Sequence, residues 1–230
     1  MTKCFLQSIL LVLLVQQCKS QPTLLVHGKR DVQQIALTFD ACSPTRNPGY
    51  DPAIVRILRQ YACPATLFLG GRWVERYRSI AKELSTDPLF TLGTHGNSHK
   101  LLATLPRDSV ILEIRKANDS FARVTGKRPK LFRPPFAIID SVAATIADSL
   151  GLQIVLYDVA SGDPDSSFTK EKLIHWVCSA VKKGSIIVFH INGRGWHTAE
   201  ALPEIIITLR QRGYEFVSVD RFLAQPKARR

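Results

Sequence analysis

The chain has 230 residues, enough for one domain with a full hydrophobic core. Its formal net charge is +12, yet the basic residues are scattered, without aromatic interleaving or a known reader motif, so composition speaks against a nucleic-acid partner. Such a charge draws a protein to anionic surfaces such as an envelope polymer, or serves solubility alone.

Residues 1–20 form a unit of their own. Met1-Thr2-Lys3 is a short positive start, Cys4 to Val15 is almost wholly apolar, and Ser20 is a small residue at a cleavage point. This is the layout of a secretory signal peptide, and it predicts a secreted or periplasmic protein. The apolar run is short for a bilayer of roughly 30 Å, so no permanent membrane anchor is expected. Gln17 is bulky where a lipoprotein signal ahead of Cys18 needs a small residue. Removing residues 1–20 takes away Lys3 and Lys19 and no acid, so +12 becomes +10. Cys42, Cys63 and Cys178 remain. An odd number excludes a fully paired framework, and no CxxC pair offers a thiolate zinc site.

From Gln33 onward short apolar runs alternate with amphipathic ones. Strands are predicted at 35–39, 65–69, 90–93, 130–132, 153–159, 185–190 and 214–219, and several are continuous in Ile, Val, Leu and Phe, as in strands buried on both faces. Helices are predicted near 52–61, 73–86, 107–125, 140–150, 169–182 and 198–212. Pro52 and Pro106 suit first turns, and Gly126, Gly151, Gly184 and Gly213 suit helix stops. Repeated strand–helix units favour a parallel sheet, closed or open. One domain over 21–230 follows, its core between about residues 27 and 224.

The unusual polar residues track strand ends. Asp40 follows the first strand, His95 and His99 the third, Arg133 the fourth, Asp158 and Asp163 the fifth, and His190 closes the sixth. In a parallel barrel all carboxyl ends share one face, where barrel enzymes place their sites. The spacing of His95 and His99 is that of two imidazoles on one side of a helical turn, able to share a cation; the alternative is a pair of capping or surface histidines. Asp40 caps no helix that begins nearby, and a carboxylate after a buried strand needs a partner or a role. Arg133, stiffened by two prolines, is placed to hold Asp40 ionised. Asp163 either orients His190 or serves only as a turn residue before Pro164.

These motifs resemble the polysaccharide deacetylase (NodB-homology) family, of carbohydrate esterase type. Thr38-Phe39-Asp40 looks like its Thr-Phe-Asp-Asp motif, His95-Gly-Asn-Ser-His99 its second, Arg133-Pro134-Pro135-Phe136 its third, Asp158 to Asp163 its fourth and Phe189-His190 its fifth. The resemblance covers nearly the whole mature chain, in order. It implies a distorted (β/α) barrel of about seven parallel strands with outer helices. It also implies Asp40 as general base, His190 as general acid, Arg133 and Asp163 as their partners, and His95 and His99 as ligands of a divalent metal, commonly zinc. The implied activity is removal of N-acetyl groups from an N-acetylhexosamine polysaccharide or oligosaccharide, such as peptidoglycan or a chitin-like polymer.

The chain departs from the family where the second aspartate, normally the third metal ligand, is Ala41. Asp51 could fold back to replace it, although Asp51 also suits a helix N-cap. Asp40 could itself bind metal, or metal could be weakly held or absent. Two other functions therefore stand beside the first: carbohydrate binding without turnover on a decayed scaffold, and hydrolysis of another non-peptide carbon–nitrogen bond. Trp196, beyond the fifth motif, could offer a sugar an aromatic surface.

Overall fold

The computed structural model describes residues 22–42 and 49–224; the leader at residues 1–20 and the basic tail at 227–230 lie outside the described residues. Nine strands occur among them: β1 (Leu24–Leu25), β2 (Gln34–Ala41), β3 (Ala65–Leu69), β4 (Phe90–Thr94), β5 (Leu131–Phe132), β6 (Gln153–Val155), β7 (Val159–Ala160), β8 (Ile186–His190) and β9 (Glu215–Phe216). All pairings are parallel, in the order β1-β6-β5-β4-β3-β2-β8-β7, with β9 also on β2. The sheet curls into an incomplete barrel whose edges are β1 and β7, wrapped by α1 (Pro52–Gln60), α2 (Gly71–Arg76), α3 (Arg78–Thr86), α4 (Arg107–Thr125), α5 (Ser141–Ser149), α6 (Lys170–Ala180) and α7 (Thr198–Gln211).

Period-two alternation in β2 sorts its side chains into two layers. Ile35, Leu37, Phe39 and Ala41 pack outward with α1 residues such as Ile54 and Leu58 and α7 residues such as Ile205 and Leu209. Ala36 packs inward with Phe68, Val155 and Ile186. Asp40 shares that inward register two residues above Thr38. Phe39 stacks on Phe189 of β8, ring centroids 5.6 Å apart, fixing the two strands that carry the site.

Three expectations change. The strand expected over 153–159 is two, because Asp158 ties itself to the amino end of β8: its carboxylate accepts from Ser185 Oγ at 2.9 Å and Ile186 N at 2.7 Å, and pairs with Arg30 at 2.8 Å. Asp158 therefore lies at the end opposite the site. The strand expected over 214–219 stops at Phe216, and Val219 opens a short helix, α8 (Val219–Leu223). That turn brings Val219 and Phe222 into the barrel's inner cluster, sealing its amino end. The helix expected over 73–86 begins at Gly71 and breaks at Tyr77, whose ψ of 48° is not helical.

Candidate active site

The carboxyl ends of β2, β4 and β8, with the turn after β5, converge on one cleft. Asp40 is 6% exposed and Arg133 wholly buried. Arg133 Nη1 donates to Asp40 Oδ1 and to Thr38 Oγ1, both at 2.8 Å; Nη2 and Nε donate to the carbonyls of Leu156 and Val155 at 3.0 and 3.4 Å. The guanidinium also lies 4.1 Å from the Phe68 ring centroid. Burial pushes the Asp40 carboxyl up, but Arg133, His95 and His190 together outweigh it and hold the group below 3.8, so Asp40 is ionised.

His95 is buried, and its Nδ1 donates to the carbonyl of Arg133 at 2.8 Å. A carbonyl only accepts, so the neutral ring keeps its free lone pair on Nε2, which faces Asp40 Oδ2 at 3.7 Å. His99 lies with its ring centroid 5.0 Å from that of His95 and 4.6 Å from Phe136. Burial lowers both imidazoles from 6.5, His99 to about 4. The segment joining them is a loop and not a helical turn. Gly96 at φ 70° and His99 at φ 57° bend it, while α2 amides donate to its carbonyls, Gly71 N to Gly96 O at 2.9 Å and Arg72 N to Asn97 O at 3.1 Å. Glu113 of α4 completes the hold, accepting from Ser98 N at 2.9 Å and Ser98 Oγ at 2.6 Å.

His190 is oriented from below. Asp163 is fully buried; its Oδ1 contacts His190 Nδ1 at 2.8 Å, and its Oδ2 accepts His190 N at 2.7 Å and Thr198 Oγ1 at 2.8 Å. Ser161 Oγ adds a fourth donor at 2.9 Å. Burial works to lower His190, but the Asp163 bond and charge raise it above 6.5. Gly195 is required here: a Cβ would meet the His190 carbonyl at 2.5 Å and Asp163 Oδ2 at 2.7 Å.

The six residues singled out from sequence thus fall into three sets: Asp40 with Arg133, His95 with His99, and His190 with Asp163. Glu113, Ser161 and Thr198 were not foreseen. Glu113 reads as one more acid of an amphipathic helix; only its burial, at 8% exposure, marks it out. Asp51 caps α1, accepting Ala53 N at 2.9 Å, and so does not reach the cleft as a ligand. Cys42, Cys63 and Cys178 are free and buried.

No group of three or more His, Cys, Asp or Glu side chains among the described residues is placed to hold a metal. Ala41 is fully buried in the outer apolar layer. The donor set is two imidazoles, both kept neutral, with one free lone pair fixed by a carbonyl. That set fits a divalent cation held by fewer protein ligands than the three usual at a catalytic zinc.

Residues 27–155 match the family model described as polysaccharide deacetylase. The chain belongs to that family. By family it is a hydrolase of carbon–nitrogen bonds other than peptide bonds. Peptidoglycan-N-acetylmuramic acid deacetylase PdaA of Bacillus subtilis (strain 168) is 28% identical over 205 residues, covering 88% of this chain and 76% of the relative. The solved Bc1960 peptidoglycan N-acetylglucosamine deacetylase superposes at TM-score 0.81 and 27% identity, covering 90% of this chain and 95% of that one. BA3943, a CE4 family pseudoenzyme from Bacillus anthracis, matches at TM-score 0.79 and 25% identity, over 88% of this chain and 69% of its own. These neighbours share the (β/α) barrel, which is the fold seen here. No helix among the described residues is long and apolar enough to cross a membrane.

Proposed function

We propose that this chain removes N-acetyl groups from an N-acetylhexosamine polysaccharide, peptidoglycan or chitin-like, outside the cytoplasm. The observation that carries the reading is the pairing of two oriented groups of opposite role across neighbouring strands. Asp40 and His190 are register partners on β2 and β8. Asp40, ionised beside Arg133, accepts a proton from the attacking water. His190, whose protonated form Asp163 favours, presents Nε2–H to the cleft and donates to the departing amine nitrogen. Each partner favours one protonation state, and a site that only bound sugar would need neither.

His95 and His99 would hold a divalent metal, zinc being the family's common ion. When bound, it supplies a Lewis acid beside Asp40. Exposed Phe136 and Trp196 offer aromatic faces to a sugar chain. The apolar leader at residues 1–20 supports export, with residues 21–230 as one catalytic domain.

The test is acetate release from chitin and peptidoglycan fragments, with zinc or cobalt added, for the wild type and Asp40→Asn. The expected result is release that Asp40→Asn reduces roughly 10²–10⁴-fold. Absence of acetate from every substrate, or equal rates for the two proteins, overturns the reading. Glycan binding without turnover would instead establish the non-catalytic alternative that Ala41 favours.

A further inference from the structure

A second concavity, of about 660 Å³, lies between α2 and α4, lined by Arg72, Glu75, Arg76, Asn97, Lys116, Asp119, Ser120 and Arg123. Its construction follows from helical spacing. Positions 72, 75 and 76 form one stripe of α2, and 116, 119, 120 and 123 form one stripe of α4. The helices touch beneath the groove, since a Cβ on Gly71 would meet Ala117 Cα at 2.7 Å. So close an approach of backbones turns the longer side chains outward on both sides as walls.

The charges in those walls do not cancel. Both carboxylates are engaged: Glu75 pairs with Arg123 at 2.6 Å and with Arg78 at 2.5 Å, and Asp119 pairs with Arg128 at 2.8 Å. Arg72, Arg76 and Lys116 are exposed and have no carboxylate partner among the described residues. Three cations thus share one groove, where their fields add and draw in counter-ions. The groove also abuts the cleft. Asn97, which lines it, belongs to the His95–His99 loop, and its carbonyl accepts Arg72 N.

We propose that this groove binds the anionic substituents of an acidic polysaccharide whose neighbouring acetamide enters the cleft. The reading rests on the proposed deacetylase function for the polymer's identity, while the groove's recognition needs no turnover. The shared ligand chemistry is a carboxylate or phosphate oxyanion borne on sugar units beyond the reacting one. Arginine at two of the three positions suits such planar or tetrahedral oxyanions.

The experiment is equilibrium binding at low salt of three oligosaccharides of equal length to the full protein: chitohexaose, its 6-oxidised carboxylate form and its 6-O-phosphorylated form. The expected result is at least about tenfold tighter binding of one or both anionic forms, weakening as salt rises. Which form is preferred tells carboxylate from phosphate. Arg72→Gln/Arg76→Gln/Lys116→Gln should abolish the preference, and Lys116→Glu alone should reduce it. Arg56→Gln/Lys182→Gln/Lys183→Gln, which removes the same charge elsewhere, should keep it. Equal wild-type affinity for neutral and anionic forms overturns the proposal. So does a preference that survives the groove substitutions, or one that the control triple removes equally. Absence of acetate release would sink the deacetylase reading while leaving this binding result standing.

Discussion

Asp40 and His190 are Cα register partners on adjacent parallel strands, β2 and β8. Neighbouring strands lie about 4.8 Å apart, and paired residues share a face, so a carboxylate and an imidazole meet over one cleft without any loop having to be placed. Each also has a buried side-chain partner, Arg133 at 2.8 Å from Asp40 and Asp163 at 2.8 Å from His190.

Arg133→Met should destabilise the protein by about 3–5 kcal/mol, because Asp40 is left buried without its cation. A urea midpoint series checks this. The acid limb should change as well. Asp40 is depressed in the folded chain, so its contribution is present above 3.8 and fades as pH falls through the lower folded value. In the variant that acid-sensitive component disappears. A loss below about 1 kcal/mol would show that the pair contributes no more than a surface ion pair.

Asp163→Asn should lower the pKa of His190, whose rise above 6.5 depends on this partner. A raised imidazole stabilises the fold fully below 6.5, and the contribution is lost as pH rises through the folded value. The alkaline limb of kcat/KM should therefore move to lower pH, with kcat down roughly 10²–10⁴-fold. An unmoved alkaline limb would assign the proton donor to another group.

Glu113→Gln replaces a carboxylate that accepts from both Ser98 N and Ser98 Oγ. The His95–His99 loop should loosen, with a stability change of about 1–3 kcal/mol. Zinc affinity, read by calorimetric titration, should fall about 10–100-fold. Affinity unchanged beside that loss of stability would show that the loop keeps its imidazoles in place by itself.

Ala41→Asp puts a carboxylate where the family carries its third ligand, but Ala41 lies in the outer apolar layer. In chelator the variant should lose about 3–5 kcal/mol as an unpaired buried charge. Zinc should restore its melting temperature, since a ligand that binds only the folded state raises stability by mass action. A melting temperature indifferent to zinc would show that this position cannot reach the imidazoles.

The barrel was legible because buried parallel strands announce themselves as short apolar runs, and helices by caps and period. The six polar residues were legible because each ends or follows such a run. The identity of the loop geometry was not: His95 and His99 have helical spacing, but glycine at 96 and a left-handed His99 bring the rings together by another path. Asp158 and Asp163 stand five residues apart in one motif, and only Asp163 was expected to orient His190. Hydrogen bonds to Ser185 and Ile186 sent the first to the far end of the barrel, and His190 drew the second into the cleft. What the amino-acid order determined alone is the strand–helix succession and the residue types at strand ends, since both depend on local period. Tertiary structure decided which of those groups meet, that Glu113 clamps the His95–His99 loop, and which cations line one groove. Those depend on burial and on contacts between residues distant along the chain, which no local pattern encodes.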